Sequence, residues 1–182
     1  KTALKLKEAD SILHLVIANS HDHILFFTSL GRVYRKRVFE LPQASRTSLG
    51  KPIINFVNLQ KDEVVTAALP IKTFDDDTSF MFVTAKAKVK RVSTSAFANI
   101  RTNGLYAITL RDNDTLSHAF ITTNDSKVML FSKMGKTVVF HTNQIREMGR
   151  SAAGVNSIKL KGDDDIVVSA FEAGKQDDSD QE

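Results

Sequence analysis

Short apolar segments alternate with polar turns along most of the chain. The most regular unit is an apolar strand that runs into Thr or Ser, a tight turn and a basic strand, at residues 24–35, 80–91 and 128–139. Many short strands joined by turn residues are typical of all-β sandwiches, barrels and propellers. The pattern therefore predicts an all-β fold, with single helical turns at residues 95–101 and 142–148. The predicted strands are residues 13–18, 24–28, 32–38, 53–59, 64–69, 79–84, 88–92, 106–110, 116–122, 127–131, 137–140, 155–160 and 166–171.

A second unit, an apolar strand, an acidic turn and another apolar strand, follows each first one. Its turns are marked by Glu63, Asp114 and Asp164, and Asp10 opens an earlier copy, so the spacings are 53, 51 and 50 residues. A fixed period of this size indicates a repeat array. One period holds four strands, which is the content of a propeller blade. We expect about three to four blades, as a piece of a larger circular array or an open arc of it.

The predicted domain covers residues 1–174, and residues 175–182 form a flexible acidic tail after it. The repeats within the domain are roughly residues 1–20, 21–72, 73–122 and 123–174.

Glycines recur at two places in the period. Gly31 and Gly135 stand where a hairpin turn needs a positive φ, whereas the second repeat has Ala87 there, so its turn is expected to differ. The other place is a glycine three or four residues after an arginine, and the pairs are Arg46 and Gly50, Arg101 and Gly104, and Arg150 and Gly154.

The distribution of charge along the chain suggests a class of binding partner. The 182 residues carry a net charge of +4, but the tail KQDDSDQE has one Lys, three Asp and one Glu, a net −3, which leaves about +7 on the rest. A basic body suggests a polyanion partner, although charge of this size also serves solubility alone. The sequence has no cysteine, no signal-peptide pattern and no apolar run long enough for a bilayer, so a cytoplasmic location is expected.

The basic residues recur at matching places in the repeats, mainly in the strand after the turn and in the loop before the later glycine. In a circular array these places fall along one rim, which suits a bent phosphate backbone and favours weakly sequence-specific binding. The simpler alternative is that Lys86, Lys88 and Lys90 form the solvated face of an alternating strand. The predicted DNA-binding residues are Arg32, Arg35, Lys36, Arg37, Arg46, Lys51, Lys86, Lys88, Lys90, Arg91, Arg101, Lys136, Arg146 and Arg150.

Motifs for catalysis or metal binding are weak. Residues 149–153, GRSAA, resemble a nucleophile elbow but end in Ala, and they lack its strand–turn–helix context. Residues 135–137, GKT, lack the earlier glycine of a phosphate loop. His21 and His23 have no third ligand cluster, so a loop pair is favoured over a metal site. We predict no catalytic and no metal-binding residue.

These repeats resemble the C-terminal domain of the DNA gyrase A protein. Residues 21–34, HDHILFFTSLGRVY, are similar to that family's first repeat, and residues 39–55, FELPQASRTSLGKPIIN, continue the match. Residues 146–155, REMGRSAAGV, resemble the corresponding loop two repeats later. The resemblance implies a β-pinwheel, a propeller-like disc whose blades exchange strands. The family disc usually has about six blades, and the glutamine-, arginine- and glycine-rich box needed for wrapping is not in this sequence.

The resemblance also implies a function. Duplex DNA would wrap around the basic rim and bias strand passage toward ATP-dependent negative supercoiling. The chain would be non-catalytic, would need no cofactor, and would work with the rest of the gyrase A protein and with the gyrase B ATPase at the nucleoid. ATP and Mg²⁺ would act only in other parts of the parent topoisomerase. The alternative is a propeller-type protein-interaction module whose positive charge is incidental and which exposes an apolar patch.

Overall fold

The computed structural model describes residues 14–45 and 48–173. In these ranges the chain forms β-strands and short 3-10 turns, as the all-β prediction requires. The strands are β1 (His23–Thr28), β2 (Arg32–Arg37), β3 (Val65–Ile71), β4 (Thr78–Thr84), β5 (Lys88–Ser93), β6 (Leu105–Tyr106), β7 (Leu116–Thr123), β8 (Lys127–Ser132), β9 (Thr137–His141), β10 (Val155–Asn156) and β11 (Val167–Ala173). The 3-10 turns are Val38–Glu40, Ile53–Asn55, Thr94–Phe97 and Thr142–Gln144.

The strands form three antiparallel sheets, which we call blades 1, 2 and 3. Blade 1 has the order β3-β1-β2-β6, blade 2 has β10-β5-β4-β7, and blade 3 has β11-β8-β9. The β-pinwheel prediction of about three to four blades is confirmed, although blade 3 has three strands among the described residues.

Neighbouring blades exchange a strand. The two-residue strand β6 comes from the second repeat but pairs with β2 of blade 1, through Arg32 with Tyr106 and Val33 with Leu105. In the same way β10 comes from the third repeat and pairs with β5 of blade 2. We call these contacts the first joint and the second joint.

Apolar side chains fill the space between blades. At the first joint Phe27 of blade 1 packs against Phe80 and Phe82 of blade 2, with ring centroids 5.2 Å apart in both pairs. At the second joint Met81 and Val83 share a buried cluster with Val128, Leu130 and Val167 of blade 3. Because each blade covers an apolar face of the next, burial of these side chains favours the array over separate sheets.

Four strand predictions are wrong, two in their extent and two because no strand forms. The predicted strands at residues 106–110 and 155–160 shorten to the exchanged strands β6 and β10. After β6 the chain turns into the first joint, where Ala107 and Ile108 are completely buried. Residues 53–59 begin with a 3-10 turn instead of a strand, and the described residues 14–18 form no strand. These two segments have no neighbouring strand to pair with among the described residues, and a strand needs such a partner.

The acidic turn of the third repeat is Asp165 and not Asp164. Asp165 is buried and accepts hydrogen bonds from the backbone N–H of Met134 at 2.9 Å and of Lys161 at 2.8 Å. Asp114 likewise accepts from the Lys86 N–H, at 2.9 Å. The acidic residues thus hold the hairpin turn of their own blade, and the spacing from Glu63 through Asp114 to Asp165 is 51 residues both times. The fourth predicted acidic turn, at Asp10, lies outside the described residues.

The expectation of a different turn at Ala87 is also wrong. Ala87 has φ +61°, close to +72° at Gly31 and +78° at Gly135. A left-handed alanine costs roughly 1–2 kcal/mol. Hydrogen bonds around the turn offset this cost, since the Ala87 N–H donates to Thr84 O and the Ala87 carbonyl accepts from the N–H and the hydroxyl of Ser157.

Candidate nucleic-acid interface

Two predicted arginines lie in the loops that lead into the exchanged strands. Arg101 is exposed before β6, and Arg150 is half-buried before β10. The glycines that follow them allow close contact with the preceding blade. A Cβ at Gly104 would lie 2.6 Å from the Tyr34 ring, and one at Gly154 would lie 2.5 Å from the Val89 carbonyl oxygen. The strand exchange therefore places an arginine loop at each joint.

A basic cleft of about 310 Å³ opens beside the first joint. It is bordered by His23, Arg35, Lys36, Arg37 and Glu40 from blade 1 and the turn after β2, and by residues before β6. Burial lowers the pKa of His23, and the positive charges of Arg37 and Arg35 lower it further. Three cations of the predicted set thus lie together with one carboxylate in a concave surface of net positive charge.

A second cleft, of about 190 Å³, lies beside the second joint. Lys86, Lys88 and Arg111 border it, together with Asp112 and Asp114. Lys88 is half-buried and pairs across the joint with Asn156 of β10. The Lys86 Nζ donates to the Asp112 carbonyl, so this cation is partly used inside the protein.

Arg32 has a structural role at the first joint. Its Nε donates to the Tyr34 hydroxyl at 3.1 Å, its Nη2 donates to Asn103 O at 2.5 Å, and its guanidinium lies 4.8 Å from the centre of the Tyr106 ring. The Tyr34 hydroxyl donates in turn to Glu63. Arg35 also crosses the joint, donating to Ala98 O at 2.5 Å.

Lys90 is completely buried, so its assignment to the DNA-binding set is corrected. Its Nζ donates to Ala107 O at 2.8 Å and to Arg150 O at 2.6 Å, and these carbonyls belong to the segments around the two exchanged strands. Burial, and after it the charge of Arg150, lowers the pKa of Lys90 to about 8. This part of the predicted solvated face is covered because the segments around both exchanged strands pack over it and turn the carbonyls of Ala107 and Arg150 toward the Lys90 ammonium.

The rest of the predicted set remains a prediction. Arg46 lies outside the described residues. The exposed members are Arg37, Lys51, Lys86, Arg101 and Arg146, and the half-buried members are Arg32, Arg35, Lys36, Lys88, Arg91, Lys136 and Arg150.

The described members of this set form no ion pairs with described carboxylates. Between described residues there is a single ion pair, His141 with Asp125 at 3.8 Å, so no described member of the set has such a partner. A cation without a carboxylate partner keeps its net charge, which attracts an external polyanion.

Three exposed cations in the acidic turns were missing from the predicted set. Lys61, Arg111 and Lys161 stand two, three and four residues before Glu63, Asp114 and Asp165. The signal that reveals them is a cation within the four residues before the acidic residue of each turn, and it needs the correct alignment on Asp165.

The remaining chemical motifs gain no support. The described residues contain no group of three or more His, Cys, Asp or Glu side chains placed to hold a metal ion. Ser151 lies in a turn, and its carbonyl accepts from the Thr109 hydroxyl at 2.8 Å. Within the described ranges, no helix has the length and apolarity for a membrane crossing.

Comparison with known proteins points to one family. The model of the DNA gyrase C-terminal domain, beta-propeller, matches residues 22–72, 78–123 and 126–172. The DNA gyrase A protein of Haemophilus influenzae is 45% identical over 166 residues, and that of Escherichia coli is 43% identical over 169 residues. These matches cover 91% and 93% of this chain, which spans 19% of the length of each relative.

Solved structures agree with the sequence matches. The C-terminal domain of DNA topoisomerase IV superposes with a TM-score of 0.85 at 28% identity, over 96% of this chain and 54% of that one. The DNA gyrase A C-terminal domain gives 0.71 at 26% identity, over 93% and 54%. With its repeated blades and exchanged strands, the chain belongs to the family of DNA gyrase C-terminal domains.

Proposed function

We propose that this chain is a non-catalytic module that binds duplex DNA along successive blades and bends it. The observation that carries the proposal is the recurrence of unpaired cations at equivalent places, above all in the loops with Arg101 and Arg150. Contacts from loops to phosphates position a duplex without reading its bases, so binding is weakly sequence-specific.

In the parent protein the module works beside the rest of the gyrase A protein and the gyrase B ATPase in the bacterial cytoplasm. The bent DNA presents a neighbouring segment for strand passage and biases it toward negative supercoiling. ATP and Mg²⁺ belong to those other parts. The kinship with the gyrase A protein and the basic clefts beside both joints support this role.

A double charge reversal tests the proposal. Arg101 and Arg146 are exposed, and neither side chain makes a hydrogen bond or ion pair with another described residue. Arg101→Glu with Arg146→Glu should weaken binding to a long duplex by at least about tenfold, because two phosphate contacts become repulsive. Circular dichroism and thermal unfolding should show an unchanged fold.

The matched control reverses Lys72 and Lys133, which are also exposed but lie outside the predicted set. It changes net charge by the same amount and should retain most of the affinity. Equal losses in both variants would mean that net charge alone attracts DNA. Unchanged binding in the first variant would refute the assigned surface and favour the protein-interaction alternative.

A further inference from the structure

The turn that carries Arg150 is held through three consecutive backbone carbonyls. The Arg150 carbonyl accepts a hydrogen bond from the Lys90 Nζ at 2.6 Å. The Ser151 carbonyl accepts from the Thr109 hydroxyl at 2.8 Å, and the Ala152 carbonyl accepts from the Thr109 N–H at 3.3 Å. The donors belong to the second repeat and the acceptors to the third, so these contacts fix the turn to the preceding repeat. We call them the inter-joint link.

Lys90 also connects this link to the first joint. Its Nζ donates to the Ala107 carbonyl at 2.8 Å, and Ala107 directly follows β6. The Ala107 N–H donates in turn to the carbonyl of Gly31, in the turn between β1 and β2, at 2.8 Å. One buried side chain therefore joins the segment that leaves the first joint to the turn that enters the second.

Cations of the predicted set lie on both of the connected loops. Arg101 is exposed in the loop before β6, and the backbone of that loop is held at Asn103, whose carbonyl accepts from the Arg32 Nη2 at 2.5 Å. Arg150 is half-buried and forms no ion pair with a described carboxylate. Since residues 105–109 continue from the first loop and are bonded to the second, the positions of Arg101 and Arg150 depend on each other.

The fold of a blade does not require an ammonium group at position 90. The equivalent position is taken by Tyr34 in blade 1 and by Val138 in blade 3. A buried charge is also unfavourable, and burial, and after it the charge of Arg150, lowers the pKa of Lys90 to about 8. What the lysine adds at this position is its pair of contacts with the carbonyls of Ala107 and Arg150.

We propose that Lys90 and Thr109 are positioning residues, which hold the loops of Arg101 and Arg150 at a fixed spacing that sets the bend of the bound duplex. The inference rests on the DNA binding proposed above. Because phosphates follow one another at fixed intervals along a duplex, two cations held at a fixed spacing contact it best at one bend. Lys90 is completely buried, so it acts through the Arg150 turn and not by touching DNA.

Two variants open the inter-joint link in different ways. Lys90→Met removes the ammonium and keeps a side chain of similar length. Thr109→Val removes the hydroxyl that donates to Ser151 without changing the charge, and Thr109 is exposed, so the core is not disturbed. Lys133→Met is the matched control, because it removes one positive charge from an exposed side chain that is outside the link and outside the predicted set.

Energy transfer between dyes at the two ends of a long duplex, measured at saturating protein, reports the bend. The wild type and Lys133→Met should bring the ends together equally. Lys90→Met and Thr109→Val should both give less transfer, because loosened loops no longer impose one bend. Saturation removes differences in affinity and in the folded fraction, so a general loss of stability would leave the transfer unchanged.

A double-mutant cycle tests whether Lys90 acts through Arg150. The dissociation constants for the long duplex are measured for Lys90→Met, for Arg150→Ala and for the double variant. Lys90→Met should weaken binding by about threefold or more when Arg150 is present, and by much less when it is absent, because residues that act through one contact are not additive. Equal losses in both backgrounds would overturn the assignment of Lys90 as a positioning residue.

The outcomes separate this inference from the proposed function. A wild type that does not bind or does not bend the duplex overturns both. A wild type that bends the duplex, with the same transfer in Lys90→Met and Thr109→Val, overturns the positioning role alone. An equal loss of transfer in Lys133→Met would assign the effect to charge and also overturn it. If circular dichroism shows that Lys90→Met is unfolded, the result for Thr109→Val decides.

Discussion

Gly154 lies so close to Val89 that a Cβ atom built on it would be 2.5 Å from the Val89 carbonyl oxygen. Gly154 also has φ +87°, a conformation that side chains disfavour. This contact lets β10 leave its own repeat and pair with β5 of the preceding blade. Strand exchange at the second joint therefore depends on the absence of one methyl group.

Gly154→Ala should lower the free energy of unfolding by about 2–4 kcal/mol, from the clash with backbone and the left-handed strain together. Urea unfolding followed by circular dichroism measures this change. Gly149→Ala is the control and should change stability by less than about 0.5 kcal/mol, since its Cβ meets nothing. Equal effects of the two substitutions would contradict the close-contact account.

Because Lys90 is buried, the free energy of unfolding should rise with pH. Its pKa is lowered from 10.5 to about 8 by burial, so between these values the unfolded chain binds more protons than the folded chain. The penalty for burying the charge is complete below pH 8 and is relieved as pH rises toward 10.5. The lowered pKa corresponds to roughly 3 kcal/mol over the whole window.

The useful range for this measurement is pH 8 to 10. Tyr34, whose pKa is raised by burial and by Glu63, acts in the opposite direction above its ordinary value of 10.0. Urea unfolding at several pH values should show the rise in the wild type and a flat profile in Lys90→Met. A rise that persists in Lys90→Met would assign it to another group.

Asp165 and Asp164 should differ in their importance for the fold. Asp165→Asn should lower the melting temperature at pH 7, because the amide places an NH₂ group opposite one of the two backbone N–H donors, of Met134 and Lys161. Asp164→Asn, an exposed neighbour, should leave it unchanged. Equal melting temperatures for the two variants would contradict the alignment of the acidic turns.

The stabilisation that the Asp165 carboxylate contributes should be lost in acid. Although burial alone would raise it, the pKa of Asp165 is lowered overall by the hydrogen bonds from Lys161, Met134 and Ser132. Its stabilisation is therefore present above the ordinary value of 3.8 and lost as pH falls through the lower folded pKa. The difference in melting temperature between wild type and Asp165→Asn should shrink on acidification. A difference in melting temperature that stays constant would show that the charge of Asp165 is not its cause.

The repeat could be predicted from sequence because its signals are local. Apolar strands, turn glycines and acidic turns each lie within a few residues, and their period identifies the blade. The exchange of β6 and β10 is not local, since two residues of weak β-pattern pair with a strand from another repeat. Residues 53–59 also have a strand-like pattern, but no strand lies beside them among the described residues. A local pattern does not show whether such a partner is present.

The basic surface was predictable only in part. Lys90 alternates with Lys86 and Lys88 like a solvated face, but its position is taken by Tyr34 in blade 1 and by Val138 in blade 3. Comparing these positions across the repeats would have indicated a buried site. Arg32 was predicted for its charge, and its contacts with Asn103 and Tyr106 could be known only once β6 was placed beside β2.

The central claim is that unpaired cations on successive blades contact one continuous duplex. The most direct test is the dissociation constant of the wild-type chain for a short and a long duplex over a salt series. Each phosphate contact contributes a slope of roughly −0.9 in log affinity against log salt. We expect tighter binding and a steeper slope on the long duplex, as more blades are engaged. Equal slopes, or no binding even at low salt, would contradict the account.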